Sequence, residues 1–349
     1  MIRPWMATCM QVYTHPVNTA PDRAAAMAMI DQRLDRWIHL IKSRARGADG
    51  LKQLFLFPEF ALQGYPLGDK AEAWIEKACL DIPGPQTERL QKLAQELKVF
   101  IGLNAYWRDP DWKGNFFNTS FLIDDTGDIV LKYRRINTAQ AGSPHDFWDR
   151  YLDKVGIEGA FPVAKTVLGN IAMMPCGEIM YPEASRMFMF RGAEVLLHPT
   201  SDFGAWDNHA WMSAKKVRAA ENMMYLVSAN TGGFRDTGTP DSECAGNSQV
   251  IDWDGRVLAQ ASSPGECLRC YALIDIEQLR FARGIPTPLN RLIRNRIEVY
   301  RPLYNAVSFL PANTSDGPKQ NDGPGVRSVW KQAFANMERQ GIVVTRLDE

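Results

Sequence analysis

Short apolar runs alternate along this chain with longer stretches in which apolar side chains return every three or four residues. That alternation is the pattern of an α/β protein with helices outside its sheets, and it argues against an all-helical or all-β fold. Residues 23–44 place Ala26, Met27, Ile30, Leu34, Trp37, Ile38 and Ile41 on one helical stripe. Leu54-Phe55-Leu56-Phe57 reads as a buried strand stopped by Pro58, which has no N–H to give to a ladder. Residues 87–98 form a second amphipathic helix, and 99–104 the strand after it. The runs 117–123 and 129–132 flank Asp124-Asp125-Thr126-Gly127-Asp128, whose Asp and Gly residues supply hairpin turn chemistry. A strand over 167–174, a helix over 181–191, a strand over 195–198, a helix over 208–222 and a strand over 224–230 follow. A second hairpin joins 247–251 to 257–260. Residues 138–159 lack a clear period and contain Gly142, Ser143 and Pro144, which predicts a long surface loop with a short helix. One domain over 1–310 is expected, with 311–349 an extended tail and a candidate subunit contact.

Composition narrows the function classes. Of 349 residues, 45% are apolar and 23% charged, enough for a sizeable core without disulfide staples. Forty basic residues balance forty acidic ones, so the chain carries no footprint of a nucleic-acid or membrane-surface protein, and a small neutral partner fits better. Arg291, Arg294 and Arg296 come nearest to a basic patch and read as a solvated face or subunit contact. The first residues are too polar for a secretory leader, and no apolar run approaches the ~20 residues of a bilayer span. The expected location is cytoplasmic. Cys9, Cys79, Cys176, Cys244, Cys267 and Cys270 are scattered and expected to be reduced. The Cys267–Cys270 pair has no second ligand pair at zinc-site spacing, so no metal is expected.

Three strand ends carry residue types that make a hydrolytic site when brought together. A cysteine nucleophile needs a base for its proton, a cation for the developing oxyanion and a turn that exposes sulfur. Cys176 in Met174-Pro175-Cys176-Gly177-Glu178, Glu59 after Phe57-Pro58, and Lys132 at the end of its strand supply these groups. Singly, such residues are usually a core thiol, a solvated loop carboxylate and an edge charge. Their order and context distinguish them.

Phe57-Pro58-Glu59-Phe60-Ala61-Leu62-Gln63-Gly64-Tyr65 and Gly127-Asp128-Ile129-Val130-Leu131-Lys132-Tyr133-Arg134-Arg135 resemble the glutamate and lysine motifs of the nitrilase (carbon–nitrogen hydrolase) superfamily. Cys176 with Tyr181-Pro182-Glu183 and Arg191-Gly192-Ala193-Glu194-Val195-Leu196 resembles its cysteine motif. Arg218-Ala219-Ala220-Glu221-Asn222, Ala229-Asn230-Thr231-Gly232 and Gly246-Asn247-Ser248 follow in the expected order, so the resemblance spans roughly residues 5–305. It implies a four-layer α-β-β-α sandwich, association into homodimers or larger assemblies, and no metal or organic cofactor. It also implies that Cys176 attacks the substrate carbon, Glu59 moves the protons, and Lys132 with the Gly177 N–H holds the oxyanion, through a thioester that water then opens.

The second carboxylate of many amide-cleaving relatives is imperfectly matched, with Asp149 nearest the position and Glu158 the other candidate. Tyr65, Glu158, Ser201 and Trp206 are candidate substrate-binding residues. Relatives acting on N-carbamoyl amino acids tend to place arginine just after the cysteine, whereas Gly177-Glu178-Ile179-Met180 has none; Arg150 and Arg186 are the possible substitutes. Glu178 is expected to bond N–H groups at the following helix N-terminus, and His198 and His209 are not expected to act as the base. The leading reading is hydrolysis of a small amide. The alternatives are a nitrilase, an N-carbamoyl amide hydrolase and a catalytically silent scaffold.

Overall fold

Asp22 accepts the Ala25 N–H at 2.9 Å and starts helix α1 (Arg23–Ala45), which turns Ala26, Ile30, Leu34, Trp37 and Ile41 inward at helical spacing. Those side chains meet Phe55, Phe57, Ile101 and Leu103, from strand β2 (Gln53–Leu56), the segment after it and strand β3 (Phe100–Trp107). Helices α2 (Ala71–Ala78) and α3 (Pro85–Leu97) bury residues in the same cluster. The computed structural model describes all residues except 48–49, 67, 139–141, 203–208, 238–245, 315–322 and 345–349.

Strand β1 (Trp5–Gln11) lies beside β2, and β4 (Phe117–Ile123) and β5 (Ile129–Arg134) extend the sheet beyond β3. The second sheet contains β6 (Ala164–Thr166), β7 (Gly169–Met173), β8 (Val195–Thr200), β9 (Tyr225–Asn230), β10 (Gln249–Ile251) and β11 (Val257–Gln260). Strand β12 (Cys267–Ile274) returns to pair antiparallel with β1. The orders are β12-β1-β2-β3-β4-β5 and β11-β10-β9-β8-β7-β6. Strands β1, β2 and β3 run parallel, as do β7, β8 and β9.

The sheets face each other across an apolar core to which Leu56, Leu122, Leu131 and Tyr133 contribute from one side and Met173, Leu197 and Val227 from the other. Gly102 marks the closeness of that packing, because a Cβ there would lie 2.8 Å from Leu56 Cδ1 and 3.4 Å from both Leu197 Cδ1 and Met173 Cε. Helices α4 (Trp148–Ala160), α5 (Pro182–Phe190) and α6 (His209–Asn222) follow the chain onward, with α5 and α6 burying Phe188, Ala214 and Ala219 in the apolar cluster that continues through the second sheet. The result is the α-β-β-α sandwich that the motifs imply. Beyond it come α7 (Ile276–Gly284), α8 (Arg301–Ala306) and α9 (Gly323–Arg339).

Three expectations are corrected. In residues 138–159 the helix is longer than expected, since α4 runs from Trp148 to Ala160 with a break at Gly156, and Phe147 and Tyr151 anchor it on Trp112 and Phe117. The strand expected over 167–174 starts only at Gly169, because Val167 and Leu168 form the turn that folds β7 back on β6, with Gly169 at φ 107°. The tail after 311 is not wholly extended, since it contains α9, which is tied back by Asn336 and Gln340 to the carbonyls of Phe309 and Ser308.

Candidate active site

Cys176 leaves β7 through Met174-Pro175 with a left-handed backbone, φ 49°, and begins a short 3-10 turn over Cys176–Met180. A non-glycine residue held at positive φ is strained, and here the strain turns the thiol out at the strand exit. His198 on β8 fixes this elbow from behind: its Nε2 donates to the Cys176 carbonyl at 2.8 Å while Nδ1 accepts from Ser228 Oγ at 2.9 Å. Burial lowers the His198 pKa to about 4, so the ring is neutral near neutral pH, which fits this tautomer. It grips the backbone of Cys176 and makes no bond to its sulfur.

Glu59 follows the end of β2 on the facing sheet and is fully buried. Its N–H reaches the Thr200 carbonyl at 3.4 Å, which links the rims of the two sheets. Three donors hold the carboxylate: Asn118 Nδ2 at 2.8 Å and Arg135 Nη1 at 2.9 Å on Oε1, and Ser201 Oγ at 2.6 Å on Oε2. Ser201 Oγ lies 3.8 Å from Cys176 Sγ. Burial first, and then the charge of Glu59, push the Cys176 thiol up to about 12, while Arg135 opposes them. Cys176 is therefore held as a neutral thiol beside Glu59.

Arg135 is the cation of this site. Burial disfavours its charge, but Glu59, and after it Cys176 and Glu178, raise its pKa above the usual arginine value. Its Nε donates to the Asn137 carbonyl at 2.7 Å, Nη1 holds Glu59, and Nη2 has no hydrogen-bond partner among the described residues. A Cβ on Gly177 would come within 3.1 Å of Nη2 and 3.6 Å of the Trp211 ring, so that end of the guanidinium lies beside the backbone that follows Cys176. Glu178 ties that backbone to the Arg135 loop. Its Oε1 accepts from the N–H groups of Ile136 and Asn137, at 3.1 and 2.8 Å, and from the Tyr133 hydroxyl at 3.0 Å. The expected bond from Glu178 to the next helix is thus replaced by a clamp across the two sheets.

Residues 23–283 match the carbon–nitrogen hydrolase family model, which is well over half of the chain. The chain belongs to the carbon–nitrogen hydrolase family. This hydrolase is 31% identical over 295 residues to a formamidase of Bacillus thuringiensis, covering 84% of this chain and 82% of that one. A formamidase of Bacillus cereus is 30% identical with the same coverage. Among solved structures, a carbon–nitrogen hydrolase of Helicobacter pylori superposes with TM-score 0.62 at 20% identity, covering 86% of this chain and 99% of that one. An amidase of Nesterenkonia sp., seen with the acetamide moiety of fluoroacetamide on its active-site cysteine, superposes with TM-score 0.58 at 18% identity, covering 85% and 96%.

Of the residues anticipated from sequence, the hydrolase brings Glu59, Cys176, Gly177 and Ser201 to one rim and leaves Lys132 out. Lys132 Nζ sits 4.7 Å from the centre of the Trp107 ring, among Arg134, Asp109 and Asp111, and burial followed by Arg134 lowers its pKa. The reason is the two-residue period of a strand: Leu131 and Tyr133 of β5 enter the inter-sheet core, so Arg135 is the next residue on that face and Lys132 points the other way. Asp149 is exposed in the first turn of α4, where its N–H meets Asn313 Oδ1. Glu158 is exposed and pairs with Arg191 at 3.0 Å. Neither carboxylate contacts Glu59, Arg135 or Cys176 among the described residues, because α4 packs its aromatic face on Trp112 and leaves these side chains outside. Tyr65 packs against Phe60 and edge-on to Phe234, next to the Glu59 turn. Trp206 lies outside the described residues. Arg150 sits over the Trp112 ring and Arg186 bonds the Glu221 carbonyl.

Sequence reasoning missed Arg135, Asn118 and the anchoring roles of His198 and Glu178. The spacing Leu131-x-Tyr133-x-Arg135 carried the signal for the first. The other three depend on neighbours distant in sequence.

Proposed function

We propose that this carbon–nitrogen hydrolase cleaves a small neutral amide through a thioester on Cys176, releasing ammonia or an amine and then the acid. The observation that carries the reading is the convergence of Cys176, Glu59 and Arg135 at one rim, with the nucleophile on a strained strand exit. In the proposed sequence the thiol proton passes to Glu59 as sulfur attacks the carbonyl carbon, and Glu59 then protonates the departing nitrogen. Glu59 next takes a proton from the water that opens the thioester. Arg135 Nη2 and the Gly177 N–H face the position of the oxyanion, where fixed donors contribute most when charge develops.

A neutral substrate fits because the described cation at the rim, Arg135, is already paired with Glu59, and Arg150 and Arg186 are engaged elsewhere. Because formamidases are among its relatives, formamide is the first substrate we would try. Tyr65 and Trp211 would supply an aromatic wall. Exposed apolar side chains on and beside α5 and α6, Tyr181, Phe190 and Val217, support assembly into a homodimer or larger oligomer. The five cysteines among the described residues are free thiols, which suits a cytoplasmic setting.

The test is intact-mass spectrometry of the full chain mixed with formamide, acetamide, propionamide and the matching nitriles, alongside product assays. An acyl mass on the protein that vanishes in Cys176→Ala, with loss of ammonia release, is the expected result. Turnover that survives Cys176→Ala would overturn the mechanism, and turnover of nitriles alone would overturn the amide assignment.

A further inference from the structure

Ser201 stands out among the residues around the thiol because its hydroxyl touches both Cys176 and Glu59, which also face one another. Its Oγ is 2.6 Å from Glu59 Oε2 and 3.8 Å from Cys176 Sγ. The carboxylate's other oxygen already accepts from Asn118 and Arg135, so the oxygen facing the serine is the one left to receive a proton.

The surroundings hold this hydroxyl rigidly. Ser201 follows β8 directly, and both its neighbours in sequence are anchored. The Asp202 N–H donates to Asn230 Oδ1 at 2.9 Å, and its carboxylate accepts from Thr200 Oγ and from the ammonium of Lys215, which is wholly buried. The Thr200 carbonyl in turn accepts the Glu59 N–H. A buried ion pair is expensive to assemble and costly to break once made, so it is a stiff support for the segment between. The serine is thus fixed to the residue whose proton traffic it faces.

We propose that the Ser201 hydroxyl is a proton relay between Cys176 and Glu59. As sulfur bonds to the substrate carbon, the carbonyl π pair moves onto oxygen, the thiol proton moves to Ser201 Oγ, and the hydroxyl's own proton moves to Glu59 Oε2. The serine ends with the composition it had. The raised thiol pKa is consistent with a proton that leaves only as attack occurs. The relay rests on the cysteine-nucleophile reading above, yet it predicts behaviour that needs no amide substrate, because alkylation of Cys176 requires the same deprotonation.

The experiment measures the rate of Cys176 alkylation by iodoacetamide, located by mass spectrometry, in mixtures of light and heavy water. Wild type, Ser201→Ala and Ser201→Thr are compared, each checked for folding by thermal melt, and formamide turnover is followed in parallel. The relay predicts a curved dependence on deuterium fraction in wild type, from two protons in motion, and a linear one in Ser201→Ala at a rate lower by about 100-fold, the low end of general acid–base contributions. Ser201→Thr, which keeps the hydroxyl, should restore the curvature and most of the rate. The proposal fails if wild type is linear, if Ser201→Ala reacts at the wild-type rate, or if it slows while keeping wild-type curvature. Failure to turn over any amide with the alkylation pattern intact would instead count against the substrate reading.

Discussion

At the scale of single residues, the guanidinium of Arg135 distinguishes this site from the lysine that the motif implies. An ammonium near pKa 10.4 can lose its proton in alkaline solution, whereas a guanidinium remains charged throughout the working range. Arg135 pairs with Glu59, and in the proposed mechanism it holds the oxyanion without moving protons. Arg135→Met should lower kcat/KM for formamide by roughly 10²- to 10³-fold, the size of effect seen on removing an oxyanion donor. Arg135→Lys should retain more activity and show an alkaline fall in its pH–rate profile that wild type lacks. Steady-state kinetics from pH 6 to 10.5 checks both, and an unchanged rate in Arg135→Met would remove arginine from the mechanism.

At the scale of elements, one strand decides which cation enters. Strand β5 sends Leu131 and Tyr133 inward and Val130 and Lys132 outward, and Arg135 continues the inward series just past the strand end. Outside, Lys132 and Arg134 lie over Trp107, and Arg134 pairs with buried Asp109. Lys132→Met should thus leave kcat/KM within about threefold of wild type and cost roughly 1–2 kcal/mol, the worth of a partly buried cation–π contact. Kinetics and a urea titration of the same preparation test this, and a loss as large as that of Arg135→Met would place Lys132 back in the site. The Cys176 turn is set by an equally local device, with His198 pulling its carbonyl from behind and Glu178 clamping it to the loop after β5.

At the scale of the whole molecule, the rim exists because two sheets pack face to face and buried polar groups link them. His198 is buried within the second sheet, under the Cys176 turn that meets this rim, and titrates unfavourably in the fold, with its pKa held near 4 against 6.5 by burial. A histidine depressed in this way stabilises the protein fully above pH 6.5, where folded and unfolded states are both neutral. As pH falls from 6.5 towards 4 the unfolded chain gains a proton that the folded one refuses, and stability worth roughly 3 kcal/mol is lost across that window. Urea midpoints at pH 7.5 and 4.5 should therefore fall more steeply in wild type than in His198→Gln, which is less stable at pH 7.5 but lacks the titrating ring. Parallel falls in the two proteins would show that His198 does not control acid stability.

The sequence alone determined the layered α/β class, the order of most strands and helices, and the neighbourhoods of Glu59 and Cys176, because periodicity and turn chemistry are local properties of the chain. It also contained the orientation of Arg135, in the two-residue spacing from Leu131 and Tyr133, although motif order drew the assignment to Lys132. Tertiary structure alone decided that Asp149 and Glu158 point to solvent, since the aromatic face of α4 chooses its docking surface among residues far away in sequence. The same holds for Ser201, whose contact with Glu59 joins residues 142 positions apart. One hydroxyl touches both a thiol and a carboxylate only when two separate sheets bring them within its reach, and no local pattern encodes that distance.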